Sequence, residues 1–271
     1  MTRSQWQERW PTSPLAWLPA YRVVPTRFPA VNLFDRVASP EDFEALYALE
    51  AMTNDRLRTE VGELDLVPRD ERRFGPGWGP IMAAFTHLNP LGSRFSDGTY
   101  GVFYCAASRA TAIAETRYHS ALFLAATQEP PLRQQMRLYT VLAEGDVVDL
   151  RGGVRGASDV SGATKPATKP ATESASGART AAVRNVSDTD TSFDAPAVLS
   201  PTDYTAGQAL GRAARSAGAP GIVYPSVRDA SGECLAAFRT TLLRDCHHAA
   251  YLEYNWNGHE IDVVFELNQV G

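Results

Sequence analysis

The sequence predicts an α+β protein, a mixed or antiparallel sheet with flanking helices, on three observations. Strand-type runs recur without a repeated βαβ pattern. Helical stretches with recognisable caps stand between them. Near the C-terminal end, Asn257-Gly258 separates two alternating apolar runs and reads as a two-residue hairpin turn. With 271 residues, 44% of them hydrophobic and 21% charged, the chain can bury a full core as one large domain or two small ones.

The elements follow in order. "ASPEDFEALYALEAMTNDRLR" starts a helix: Ser39 can cap, Pro40 suits the first helical position, and Glu41 and Asp42 favour the positive end of the dipole. Phe43, Leu46, Leu49 and Leu57 recur on roughly one face, so this helix is expected to pack on a core. "RRFGPGWGPIMAAFTHLNPLGSRF" is rich in Gly and Pro and reads as a loop. Its glycines do not follow the GxGxxG spacing, since Pro80 stands where the third would fall, and no apolar strand precedes them.

"TYGVFYCAA" is a short buried-type strand. Ser108 caps the helix "RATAIAETRYHSALFLAAT", whose expected buried stripe is Ala114, Tyr118, Ala121 and Ala125. Glu115 stands at the edge of that stripe, able to look into a cleft or at water. "MRLYTVLAEGDVVDL" supplies one or two strands. From Arg151 to Ser192 there is no aromatic residue and no Leu, Ile or Met. Such a run cannot bury enough surface to offset its ordering entropy, and it is expected to be a disordered insert. "SPTDYTAGQALGRAARSAGAPG" reads as a capped helix ending near Gly218, "GIVYPSVR" and "CLAAF" as buried strands, and "AAYLEYNWNGHEIDVVFEL" as the hairpin. In its last strand Ile261, Val263 and Phe265 are expected inward, Asp262 and Glu266 outward.

Composition excludes several function classes. Net charge is −5 with no Lys/Arg block, which argues against binding nucleic acid through phosphate neutralisation. Cys105, Cys234 and Cys246 are odd in number and lack CxxC spacing, so neither a disulfide framework nor zinc is expected, and a reducing cytoplasm is the natural compartment. Cys246, His247 and His248 are adjacent and diverge, with no second ligand pair, so no metal is expected. No stretch has the length of a membrane span or a signal peptide. Ser226 lies in "YPSVR" rather than in a GxSxG elbow, and no Walker motif occurs.

Polar residues at strand ends remain. Arg94 follows Gly92-Ser93, where backbone can approach a ligand and the guanidinium fork can grip phosphate. By default it is a surface arginine, Tyr104 a packing residue, Glu115 a solvated helix carboxylate and Ser226 a strand-end turn residue. Spacing alone does not bring them to one ligand.

The stretch "GSRFSDGTYGVFYCAASRATAIAE" resembles the signature of the RES-domain family, named for an Arg, a Glu and a Ser. "GIVYPSVR" is similar to that family's serine-bearing strand, and "YRVV" to its opening strand. "ALEAMTNDRLRTEVGELDLVP" and "PIMAAFTHLNPLGSRFS" resemble a longer subgroup. The resemblance implies an ADP-ribosyltransferase-like split mixed β-sheet with flanking helices: an N-terminal arm at 1–20, one catalytic domain formed by 21–150 and 193–271, and the insert at 151–192.

The resemblance also implies a toxin of a type II toxin–antitoxin system that degrades NAD at the nicotinamide–ribose bond. Phosphate is the expected acceptor. Transfer of ADP-ribose to a protein, or a silent module that only binds antitoxin, are the alternatives. NAD and inorganic phosphate would be substrates, with no prosthetic group. The partner would be a helix-turn-helix antitoxin, and a homodimer is open if the face on the helix from Ser39 is exposed. Carried over by position, the motif falls on Arg94, Tyr104, Glu115 and Ser226, with Glu115 stabilising positive charge on the ribose, Arg94 holding phosphate, Tyr104 packing on nicotinamide or ribose, and Ser226 orienting a polar group. Arg22 and Arg228 are further candidates for phosphate contact.

Overall fold

The computed structural model describes residues 4–26, 35, 62–152 and 194–268. The helix expected from Ser39 lies outside the described residues, as does all of the insert beyond Gly152. Seven strands form one mixed sheet: β1 (Thr12–Pro25), β2 (Phe103–Ala106), β3 (Leu132–Asp149), β4 (Gly221–Pro225), β5 (Glu233–Ala237), β6 (Leu243–Trp256) and β7 (Ile261–Leu267), in the order β1-β2-β5-β4-β3-β6-β7. Because β1 also pairs with β3, the ladders of β1, β2, β5, β4 and β3 close on themselves, and β6 and β7 extend from β3. Among the described residues only β3 and β4 pair in parallel. The helices are α1 (Gln5–Arg9), α2 (Gly79–Thr86), α3 (Arg109–Ala126), α4 (Ala195–Val198) and α5 (Thr205–Ser216).

Strand alternation divides the core into two clusters. One holds Val23, Met136, Leu138, Ile222, Tyr224, Tyr254 and Trp256 with Ala112 and Leu124 of α3 and Leu210 and Ala214 of α5. The other holds Leu15, Phe103, Cys105, Val141, Val223 and Leu235 with Ile81, Met82 and Phe85 of α2. Strands β1 to β6 each serve both, because successive side chains point to opposite faces, and β7 adds Ile261 to the first.

Several boundaries differ from the expected ones. Strand β1 begins at Thr12, inside the segment read as an arm: Thr12 to Trp17 pair with Val148 to Ala143, and Ala20 to Pro25 with Val141 to Met136. Pro14 and Pro19 disguise it, since proline cannot donate to a ladder, and a register shift between Trp17 and Ala20 accommodates the interruption. Arg151, counted with the insert, belongs to the fold: it pairs with Asp149 at 2.7 Å and Glu233 at 3.0 Å. The Gly/Pro-rich stretch contains α2, with Pro80 in its first turn and Ile81, Met82 and Phe85 buried.

In α3 the cap is as expected, Ser108 Oγ accepting from the Thr111 N–H at 3.0 Å. The buried positions are Thr111, Ala112 and Leu124, and Ala125 is exposed. Alanines at several phases of a helix leave its rotation to larger neighbours. The C-terminal hairpin turns over four residues, Asn257 N–H donating to the Glu260 carbonyl at 3.1 Å, and β6 starts well upstream at Leu243. A register shift between Asn255 and Trp256 moves β7 by one place. Ile261 is therefore buried, but Val263 and Phe265, expected inward, are 41% and 49% exposed. No helix among the described residues is long and apolar enough to cross a membrane.

The turn after Arg94 carries a local electrostatic lock. Asp97 accepts from the Thr99 hydroxyl at 2.6 Å and the Thr99 N–H at 3.2 Å, and pairs with Arg212 of α5. These donors, Thr99 foremost, lower its pKa from 3.8 to about 2. A carboxylate depressed on folding contributes stability above its unfolded pKa and loses it as pH falls through the folded one. Acid titration of the folded protein is thus expected to show a stability loss between pH 3.8 and about 2 that Asp97→Asn removes. Denaturation midpoints measured across that window check it, and parallel curves for both proteins would refute it.

Candidate functional site

Arg94 sits on a turn whose backbone is held from several sides. The Tyr104 hydroxyl, from β2, accepts from the Phe95 N–H at 3.0 Å and hydrogen-bonds the Ser93 hydroxyl at 2.8 Å. The Tyr100 hydroxyl donates to the Phe95 carbonyl at 2.6 Å. Helix α5 then lies directly on this turn. Gly207 and Gly211, one turn apart, present no side chain, and a Cβ would fall 2.4 Å from the Arg94 carbonyl oxygen and 2.1 Å from that of Phe95. The turn can approach the helix this closely only over glycine.

The Arg94 side chain is 7% exposed. Its Nη1 donates to the carbonyls of Ser200 at 2.8 Å and Val198 at 3.3 Å, and its guanidinium lies 4.7 Å from the Tyr204 ring centre. The Tyr104 ring is half-buried, and desolvation of its hydroxyl pushes the pKa up to about 12 and keeps it neutral. Its hydroxyl is a peg for the Arg94 turn, a different use from the ligand wall expected of it.

Glu115 projects from the second turn of α3 toward the loop after β4. Ser226 Oγ donates to Glu115 Oε1 at 2.6 Å, and the same Oγ accepts the N–H groups of Arg228 at 3.1 Å and Asp229 at 3.0 Å. With two donors aimed at its oxygen, the hydroxyl directs its proton to the carboxylate. Ser226 therefore orients Glu115. Cys234 Sγ on β5 adds a longer donor at 3.8 Å. The loop is itself tied to the start of α3: Thr111 donates to Asp229 at 2.7 Å, and Gly232 packs where a Cβ would meet the Thr111 side chain at 2.5 Å.

Arg228 stacks its guanidinium 3.3 Å from the Tyr118 ring centre and donates through Nη2 to the Pro201 carbonyl. Its buried Nε has no partner among the described residues. His119, one turn beyond Glu115, stands at the rim. Crowding by protein lowers its pKa, Arg228 and Arg94 add to the shift, and Glu115 opposes it. The structure thus brings Arg94, Tyr104, Glu115, Ser226 and Arg228 to one face.

Arg22 is not among them. Tyr21 packs on the cluster beneath α3, and its neighbour Arg22 turns to the other face, 4.4 Å from the Phe103 ring centre, donating to the Tyr104 carbonyl at 2.9 Å. Burial lowers its pKa, and alternation along β1 explains the placement. Sequence reasoning missed His119, Tyr204 and Cys234. The spacing of four from Glu115 could have signalled His119; nothing local points to the other two.

A family model described as the RES domain matches residues 69–257. The chain is 36% identical over 132 residues to the uncharacterized protein y4oC of Sinorhizobium fredii (strain NBRC 101917 / NGR234), a match covering 48% of this chain and 56% of that protein. The chain thus spans about half the length of the curated relative it matches. Among solved structures, it resembles the crystal structure of the M. tuberculosis MbcT–MbcA toxin–antitoxin complex with a TM-score of 0.40 and 12% identity, over 90% of this chain and 89% of the other.

The glycine face of α5 makes a prediction whose sign separates two effects. Helix propensity alone would make Gly211→Ala stabilising by about 1 kcal/mol. Contact with the Phe95 carbonyl makes it destabilising, by roughly 1–3 kcal/mol for overpacking. Chemical denaturation of the variant reads the sign directly, and a stabilised protein would contradict the close approach.

Proposed function

The chain belongs to the RES-domain family, and from that premise we propose that it is a toxin of a type II toxin–antitoxin system that degrades NAD, with inorganic phosphate as acceptor. The observation that carries this reading is Glu115, a carboxylate held by a 2.6 Å hydrogen bond from Ser226, with Arg228 and the buried Arg94 near enough to act on the same helix face. NAD and phosphate are substrates in this reading, and no prosthetic group is called for.

The chemistry suits those groups. As the nicotinamide–ribose bond breaks, its electron pair leaves with nicotinamide, which becomes neutral, and positive charge builds on the ribose ring as in glycoside hydrolysis. Glu115, oriented by Ser226, stabilises that charge without reorganising. A phosphate oxygen then bonds to the ribose carbon and its proton is released, giving ADP-ribose 1″-phosphate. Arg228, already over Tyr118, supplies positive charge for the phosphate. Arg94 contributes its field from a buried, carbonyl-anchored position and fixes the wall formed by Tyr204. A cognate antitoxin with a helix-turn-helix region would silence the toxin by occluding the face around Arg94 and Ser226.

Product analysis by mass spectrometry, with NAD in the presence and absence of phosphate, tests the reading. Nicotinamide and ADP-ribose phosphate appearing only with phosphate are expected; ADP-ribose attached to protein would replace phosphorolysis by protein modification. Glu115→Gln is expected to lower turnover on the order of 10²–10³-fold, the usual cost of one aligned electrostatic contact, with thermal unfolding little changed. Undiminished NAD consumption by that variant would remove Glu115 from the chemistry.

A further inference from the structure

Strands β4 and β5 have a second end, away from Glu115 and Ser226. There the Phe238 and Arg239 N–H groups both donate to the Pro220 carbonyl, at 2.8 and 3.2 Å, joining the exit of β5 to the entry of β4. Ser226 follows the opposite end of β4. The length of that strand, roughly 16 Å at the usual rise per residue, separates the two places. A concavity of about 90 Å³ lies at the Pro220 end. Its apolar surface includes Leu66, Phe85 and Phe238, and its charged residues are Glu71, Arg215 and Arg239. We infer that it binds a short aliphatic monocarboxylate, held by the two guanidinium groups. The inference does not depend on the NAD reading.

Charge is the first argument. Arg239 Nη1 donates to the carboxylate of Glu71, which is buried, and the two charges cancel. Thr240 Oγ1 donates to the Glu71 carbonyl at 2.6 Å, so the turn that carries Glu71 is tied to the chain just after β5. Arg215, at the end of α5, lies 4.6 Å from the Tyr100 ring centre, and Tyr100 packs edge-on against Phe238. That ring contact orients the guanidinium and leaves its N–H fork unused. Arg215 has no hydrogen bond or ion pair to a described residue. Two arginines against one glutamate leave a single positive charge in excess. A planar carboxylate carries one negative charge and matches the fork in shape.

Size and lining narrow the class. An apolar cavity of about 150 Å³ holds one benzene ring, so 90 Å³ admits a chain of a few carbons and no aromatic ring. A phosphate dianion would bring two charges to a place that neutralises one. It would also set a fully polar surface against Leu66, Phe85 and Phe238, at a cost in desolvation. A carboxylate with a short alkyl body answers both halves of the lining. Its oxygens accept from the guanidinium donors, and its carbons cover the apolar wall.

The test is ligand-observed NMR on the full chain with butyrate, and with butanol, benzoate and phosphate as companions. Butyrate is expected to bind. Butanol lacks the charge and benzoate exceeds the volume, so neither should bind, and phosphate should not displace butyrate. Arg215→Gln should weaken butyrate on the order of ten- to hundredfold, as expected for lost hydrogen bonds to a charged group. Leu66→Trp, which fills the concavity from its partly exposed rim, should abolish binding, and Arg228→Gln on the Glu115 face should leave it intact. Thermal unfolding would verify that all three variants fold. Butanol binding as tightly as butyrate, or displacement of butyrate by phosphate, would overturn the assignment. So would an absence of butyrate binding, or binding that survives both Arg215→Gln and Leu66→Trp and is lost in Arg228→Gln.

Discussion

The seam between the first turns of α3 and the loop joining β4 to β5 is the constraint on which the remaining site geometry depends. Thr111 donates to Asp229 and Ser226 donates to Glu115, one helical turn apart, so the loop is joined to the helix at two heights. Ser108 caps the same end. Gly232 allows the loop to lie on Thr111 without intervening side chain. A carboxylate on an exposed helix face would normally sample several rotamers in water. Here its direction is set by a hydroxyl whose own lone pairs are occupied by two backbone donors.

The other half of the site is built by a different device. Arg94 is carried on a turn that buries Phe95 against Tyr224, and α5 covers that turn glycine-first. Two tyrosine hydroxyls then satisfy the backbone of Phe95 from opposite directions. Desolvating an arginine is costly unless its donors find partners, and carbonyls of Val198 and Ser200 meet that need. The result is a positive charge that cannot swing away. Tyr104 and Ser226 serve by holding other groups in place, which makes the site a set of positioned charges more than a set of independent reactive groups.

Much of the fold was legible. The N-cap of α3, the strand signals at "GIVYP" and "CLAA", and the presence of the hairpin, though not its four-residue turn, came from local chemistry acting on its immediate neighbours. Strand β1 was partly hidden because prolines that usually break ladders are tolerated by a register shift. The phase of α3 was misread because alanine pairs with any surface. The facing of β7 was misread because one slipped residue at Trp256 reverses the alternation that follows.

For the site, the sequence named the candidate residues Arg94, Tyr104, Glu115 and Ser226 through the resemblance of its motifs to the RES-domain family, since their spacing and places at element ends left each open to an ordinary role. It also determined that Tyr21 and Arg22 must point to opposite sides of one strand. Only the tertiary structure decided which of those sides faces Glu115, and so placed Arg22 behind the sheet and Arg228 in front of it. The reason is that alternation along a strand and rotation around a helix are local, short-range properties. Which face becomes a cleft depends on what packs there, and the partners of Glu115, Ser226 and Cys234, stand 111 and 119 residues away along the chain.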